Sequence, residues 1–110
     1  MALTKAKVDR VLPEIVCRLG DALKPVAVYL FGSCVEDAIG PDSDIDILVI
    51  VAESELSFFE RGAAAVRALR GADVPIDVQV YTGAEFDSRA DLPVSFERTV
   101  RTKGRLLYAA

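Results

Sequence analysis

The apolar positions of the chain follow two spacings, one typical of helices and one typical of strands. Near the N-terminus, apolar residues recur at helical intervals from Val8 to Leu23, and Thr4 precedes them as a helix-capping residue. Pro13 falls inside this pattern, so the helix either starts there or bends there, and Pro25 ends it. We therefore expect a first helix close to residues 4–23.

Three short apolar runs rich in β-branched residues predict buried strands at residues 26–31, 44–52 and 74–82. Between them we expect a short helix near residues 33–37, a turn at 40–43, and a helix capped by Ser54 or Ser57 that ends at Gly71. Residues 82–93 are predicted to be irregular, Pro93 opens a helix to about Lys103, and residues 104–108 form a strand or an extended tail. This order predicts α+β or α/β layers, with helices packed on a small sheet.

Composition limits the class of protein. The chain has 110 residues, of which 52% are hydrophobic, and a formal net charge of −4. We expect a single domain over residues 1–110 and, because no basic patch is evident, no direct binding to duplex nucleic acid. The N-terminal residues lack an apolar signal core, and the longest apolar run is too short to span a bilayer. We therefore expect a cytoplasmic protein without a membrane partner.

Several reactive or charged side chains are expected to be structural. The chain has no histidine, which excludes Ser-His-Asp and Cys-His catalysis and any zinc site with histidine ligands. Cys17 and Cys34 do not form a Cys-x-x-Cys pair; we expect Cys17 in the core and Cys34 to be incidental. Arg61, Arg67 and Arg70 recur along one helix and predict a solvated face.

Carboxylates cluster at the start of the second predicted strand, in the segment DSDID. Asp42 belongs to the turn, whereas Asp44 and Asp46 share one face of the strand because side chains alternate. Asp77 lies within the third strand, where Asp is disfavoured, and would join the other two if the strands pair. Three carboxylates on one face would suit magnesium and a phosphoryl displacement. From spacing alone, solvated strand ends explain these residues equally well.

Gly32 and Ser33 close the first predicted strand shortly before these carboxylates. A glycine at such a turn lets the backbone approach a ligand closely, and amides at a helix N-terminus attract phosphate. An anion-binding turn followed by a cation-binding pair would match the two parts of a metal-bound nucleoside triphosphate.

The chain carries the motif LFGS, then ten residues, then DID, and later a strand with a single Asp. This pattern resembles the nucleotidyltransferase domain of the DNA polymerase β superfamily. The short chain and its ending, RTVRTKGRLLYAA, are similar to the minimal members, the MNT proteins. Many MNT proteins are encoded beside HEPN-domain proteins as toxin–antitoxin pairs. The resemblance covers nearly the whole chain and implies the nucleotidyltransferase fold, an α+β fold with a small mixed β-sheet and helices packed on it.

The resemblance also implies roles for individual residues. Gly32 and Ser33 would hold the triphosphate, while Asp44, Asp46 and Asp77 would bind two magnesium ions. Asp77 would also help to deprotonate the attacking hydroxyl. The implied protein is a magnesium-dependent enzyme that transfers AMP from ATP to a hydroxyl of a partner protein and releases pyrophosphate. In HEPN/MNT pairs that partner is the HEPN toxin, and the acceptor is one of its tyrosines.

One departure from the family pattern keeps other functions open. Many members carry a basic residue three positions after the Ser, where this chain has Glu36, followed by Asp37. Negative charge near a triphosphate is unfavourable, so a catalytically silent antitoxin that acts by binding the HEPN toxin is an alternative. A small-molecule, antibiotic-type nucleotidyltransferase and a plain structural domain are further alternatives. Homo- and hetero-oligomers, the acceptor and the base preference all remain open.

Overall fold

The chain forms four helices and four strands within residues 3–110, the part that the computed structural model describes. The elements are, in order, α1 (Lys5–Leu23), β1 (Ala27–Phe31), a 3₁₀ turn (Gly32–Cys34), β2 (Ile45–Val51), α2 (Phe58–Ala68), β3 (Ile76–Thr82), α3 (Gly83–Ala90), α4 (Phe96–Lys103) and β4 (Arg105–Ala109). None of the helices in this range is long and apolar enough to cross a membrane.

The strands form one mixed sheet with the order β3-β2-β1-β4. β1 is antiparallel to both β2 and β4, whereas β2 and β3 are parallel, with α2 in the connection between them. A parallel pair needs such a crossover, because a tight turn reverses the chain direction. The predicted α+β fold with a small mixed sheet is therefore confirmed, and the last segment is a strand rather than a tail.

Helices cover both faces of this sheet. On one face, Ile47 of β2 belongs to an apolar cluster with Leu12 of α1 and Ala65 of α2. On the other face, Leu48 belongs to a second cluster with Phe86 of α3 and Val100 of α4. β2 is the central strand between these clusters, and Asp46 is its only polar residue.

Side-chain caps set the starts of the first two helices. The Thr4 hydroxyl accepts a hydrogen bond from the Lys7 amide, as predicted, and α1 continues through Pro13. Ser57, rather than Ser54, caps α2: its hydroxyl accepts from the Glu60 amide while the Glu60 carboxylate accepts from the Ser57 amide. This reciprocal pair is a capping box.

The region predicted to be irregular, residues 82–93, instead contains α3. Thr82 and Glu85 form a second capping box, with the Glu85 carboxylate accepting from the Thr82 amide at 2.8 Å. Phe86, in the first turns of α3, then anchors the helix in the core. α4 begins at Phe96 rather than at Pro93, because the Ser95 hydroxyl caps the helix by accepting a hydrogen bond from the Arg98 amide at 3.0 Å.

Three smaller expectations are wrong. The helix expected near residues 33–37 is only a 3₁₀ turn that ends at Cys34, and Asp37, in the loop that follows, adopts a left-handed conformation (φ 57°). Cys17 is exposed on α1 rather than buried. Arg61 is buried, with 4% of its surface exposed, whereas Arg67 and Arg70 are exposed as expected.

Arg61 is buried because it joins three elements. Its guanidinium donates to the carbonyl of Leu56 at 3.0 Å, to the carbonyl of Val80 in β3 at 3.2 Å, and to the Glu85 carboxylate of α3 at 2.6 Å. A buried charge with a carboxylate partner and further hydrogen bonds is tolerated in a protein interior. The spacing of the arginines along α2 does not reveal this role, since the partner lies in a region predicted to be irregular.

Candidate active site

The register of the sheet brings two of the three candidate carboxylates together. Asp46 of β2 and Asp77 of β3 are Cα partners across the parallel pair. Neighbouring strands lie about 4.8 Å apart, and partners in register project from the same face. Asp46 is also the partner of Phe31, whose ring packs with the cluster of α3 and α4. Both carboxylates therefore project from the face that α3 and α4 cover.

Asp44 lies immediately before β2 and is exposed. Its backbone carbonyl accepts a hydrogen bond from the Cys34 thiol at 3.6 Å, which ties the start of β2 to the 3₁₀ turn. Asp42 lies in the preceding turn, as predicted, and takes no part in this arrangement. The candidate carboxylates thus comprise a register pair, Asp46 and Asp77, and one residue at the entry to the same strand.

Gly32 follows β1 directly and approaches the Asp46 carboxylate closely. It has a φ of 75°, which favours glycine, and a Cβ atom at this position would overlap Oδ2 of Asp46. The Gly32 carbonyl accepts from the amides of Val35 at 3.0 Å and Glu36 at 3.1 Å, which closes the 3₁₀ turn that contains Ser33. Gly32 is therefore required both by the turn and by the position of the carboxylate.

The carboxylates also interact electrostatically. Partial burial raises the pKa of Asp46 above its usual value, and the negative charges of Asp77 and then of Asp44 raise that pKa further. Asp77 has the larger effect of the two because it is the register partner. Mutual repulsion of this kind is relieved when a cation binds between the carboxylates.

The carboxylates around Asp46 are candidate ligands for a magnesium ion. Within residues 3–110, no three His, Cys, Asp or Glu side chains are close enough to form a ready-made metal site. The donors that are near each other, however, are hard carboxylate oxygens, and magnesium commonly takes only one or two protein carboxylates. The chemistry of the donors and their repulsion at Asp46 therefore fit a divalent cation that fills its remaining positions with water and phosphate.

The Cys34 thiol lies close to this site but is not set up as a nucleophile. Burial raises the pKa of Cys34, and the negative charge of Asp46 raises it further, so the thiol keeps its proton. Because only the thiolate is strongly nucleophilic, the expectation that Cys34 is incidental agrees with its surroundings. Its hydrogen bond to Asp44 gives it a structural role.

Sequence reasoning missed one wall of the site. A cavity of about 290 Å³ adjoins Gly32, and its other side is formed by α4, including Thr99 and Lys103. The available signal was the spacing of Phe96, Thr99 and Lys103, which places these side chains on one face of a helix. The sequence does not show where α4 packs, so it gives no link between this face and the Gly32-Ser33 turn.

The match to a family model identifies the class of protein. Residues 10–105 match the nucleotidyltransferase domain, so the chain belongs to this family, and the resemblance seen in the sequence is confirmed. Its general function is therefore that of a nucleotidyltransferase. Comparison with curated protein sequences gives no match.

Solved structures are similar over almost the whole chain. A candidate nucleotidyltransferase from Sulfolobus solfataricus superimposes with a TM-score of 0.65 and 25% identity, covering 97% of this chain and 89% of that one. A toxin–antitoxin structure with AMP-PNP gives 0.62 and 25%, with 98% and 75% covered. A mutant of the toxin–antitoxin MntA-HpeT gives 0.62 and 24%, with 90% and 73% covered, and bears on the fold alone. The fold is consistent with a minimal, MNT-type domain.

Proposed function

We propose that this protein is a magnesium-dependent nucleotidyltransferase that transfers AMP from ATP to a hydroxyl of a partner protein. The proposed partner is a HEPN-type toxin, so that the protein acts as the antitoxin of a HEPN/MNT pair. The observation that carries the proposal is the register of Asp46 with Asp77, beside a glycine turn that approaches the same carboxylate. The likeness to a toxin–antitoxin structure with AMP-PNP supports the choice of nucleotide and partner.

In the proposed reaction, the oxygen of the acceptor hydroxyl attacks the α-phosphorus of ATP. The bond from that phosphorus to the oxygen that bridges the α- and β-phosphates breaks, and pyrophosphate leaves. Asp77, exposed at the start of β3, accepts the proton of the attacking hydroxyl. Gly32 and Ser33 hold the triphosphate through the backbone amides of their turn, because such amides attract phosphate oxygens.

Asp44, Asp46 and Asp77 are the residues that would hold magnesium. When bound, the metal supplies positive charge that offsets the charge of the phosphates and of the carboxylates. The remaining contribution of the chain is positioning: it fixes the acceptor, the α-phosphate and the leaving group relative to one another. Catalysis of this kind requires no covalent intermediate on the protein.

The test is transfer of label from ATP labelled at the α-phosphate. The protein is incubated with magnesium, labelled ATP and the protein encoded next to it, and the transferred label is measured. We expect label on a hydroxyl of the partner with the native chain and none with Asp46→Asn. Asp21→Asn, an exposed carboxylate change on α1, is the matched control and should transfer label normally.

A second candidate function is neutralisation of the toxin by binding alone. Glu36 favours it, since this exposed carboxylate lies in the turn that would face the triphosphate. Suppose that Asp46→Asn silences the toxin at the same protein concentration as the native chain, and that neither protein transfers label. This result would support neutralisation by binding and overturn the enzymatic proposal. Transfer to a small hydroxyl compound in the absence of a partner would instead indicate the antibiotic-type reaction.

A further inference from the structure

The cavity beside Gly32 has one wall built from the end of β1 and the turn that follows it. Phe31, Gly32, Val35 and Glu36 line this wall. The cavity lies on the same face of the sheet as Asp46, because Phe31 and Asp46 are register partners. Its volume of about 290 Å³ is near the lower end of the range for ligand pockets, about 300–1,000 Å³. The cavity therefore has room for a small ligand group beside Gly32, the residue that approaches the Asp46 carboxylate.

The second wall is the face of α4 that carries Phe96, Thr99 and Lys103. α4 is held at both ends. The Phe96 ring packs edge to face on Phe31, with centroids 5.1 Å apart, and Gly104 lies so close to β1 that a Cβ atom there would be 3.2 Å from the carbonyl oxygen of Leu30. The Cα atom of Lys103 is thus fixed relative to Gly32. Its flexible methylene chain can reach across the cavity.

The charges around this cavity are unequal. Among the lining residues that the structure describes, Lys103 is the only basic side chain and Glu36 the only acidic one. Asp46 and Asp77 add negative charge on the same face. Within residues 3–110, Lys103 has no carboxylate within 4.0 Å. An anionic ligand entering the cavity would therefore meet a single protein cation whose charge is not already neutralised by a neighbour.

We propose that Lys103 is a nucleotide-binding residue whose ammonium contacts the phosphates of the nucleoside triphosphate and offsets the charge of Glu36. This rests on the proposed function, and it explains how a turn with a carboxylate at Glu36 can accept a polyanion. The cation comes from α4, across the cavity from the turn. Lysine suits this role because its ammonium donates in three directions from a long stem.

The test is the dissociation constant of AMP-PNP with magnesium, measured by isothermal titration calorimetry. Lys103→Met should weaken binding about tenfold, the size expected for one charge-assisted hydrogen bond. Lys103→Arg keeps the charge and should bind within about threefold of the native chain. Lys5→Met, which removes an exposed lysine from α1 on the opposite face of the sheet, should change nothing.

Two further titrations test the assignment to phosphate. Glu36→Gln should tighten AMP-PNP binding, and Lys103→Met should leave the affinity for adenosine unchanged. Either of two results would overturn the role of Lys103 while leaving the proposed function intact. In the first, Lys103→Met loses as much affinity for adenosine as for AMP-PNP. In the second, Lys103→Met binds AMP-PNP as tightly as Lys5→Met does. If the native chain binds no AMP-PNP, the proposed function fails, and the role of Lys103 fails with it.

Discussion

Gly32 couples the backbone conformation of the turn to the position of a carboxylate. Gly32→Ala would introduce a Cβ at a φ of 75°, where it would overlap Oδ2 of Asp46. We expect a loss of roughly 1–3 kcal/mol in the free energy of unfolding, measured with urea, because left-handed backbone is strained for alanine. Gly62→Ala is the control: it lies inside α2, a Cβ there meets nothing within 4 Å, and it should stabilise the protein by about 0.5–1 kcal/mol. Equal stability of Gly32→Ala and the native chain would contradict the close approach.

Asp46 should make the protein less stable in the absence of a cation. Its raised pKa means that the folded state holds this proton more tightly than the unfolded state, so stability falls as pH rises from below 3.8 through the raised pKa. At neutral pH, Asp46→Asn should therefore be more stable than the native chain by about 0.5 kcal/mol, the modest size expected for a partly exposed carboxylate.

Urea unfolding at several pH values checks this prediction. The difference between Asp46→Asn and the native chain should shrink towards acidic pH, where Asp46 is protonated in both states. Asp21→Asn provides the matched change at an exposed site of α1. A destabilised Asp46→Asn at neutral pH would mean that the carboxylate is held by favourable partners rather than repelled by Asp77 and Asp44.

The joint between α2, β3 and α3 depends on Arg61. Replacing it with methionine keeps most of the stem but removes the guanidinium from the Val80 carbonyl and from the Glu85 carboxylate, which keeps its hydrogen bond from the Thr82 amide. We expect a loss of roughly 1–3 kcal/mol, because the hydrogen bonds of a buried guanidinium are lost while the remaining Glu85 carboxylate is partly exposed to water. Arg67→Met, on the exposed face of the same helix, should stay within about 0.5 kcal/mol of the native chain. Similar urea midpoints for the two variants would refute the structural role of Arg61.

Local signals in the sequence predicted most of the elements. Apolar spacing and the Thr4 cap predicted α1, and β-branched runs predicted β1, β2 and β3. The sequence prediction missed α3, although Thr82 and Glu85 have the three-residue spacing of a capping box. The burial of Arg61 was not predictable, because the spacing of residues along one helix does not reveal a partner on another element.

Across the whole molecule, the sequence identified the candidate residues, but their arrangement depends on how the strands pair. Alternation places Asp44 and Asp46 on one face, yet only the parallel register sets Asp77 opposite Asp46. The approach of Gly32 to Asp46 and the position of Lys103 beside the cavity depend equally on packing between distant segments. Such contacts are long-range, so motif spacing indicates the chemistry without giving the geometry.

The most direct test of the proposed site is a titration with Mn²⁺, a paramagnetic substitute for magnesium, in the presence of AMP-PNP. Free Mn²⁺ is measured by electron paramagnetic resonance for the native chain, Asp46→Asn, Asp77→Asn and the control Asp21→Asn. We predict nucleotide-dependent Mn²⁺ binding by the native chain and by Asp21→Asn, and its loss in both site variants. Binding of Mn²⁺ by Asp46→Asn and Asp77→Asn with the affinity of the native chain would contradict a metal–nucleotide site at these carboxylates.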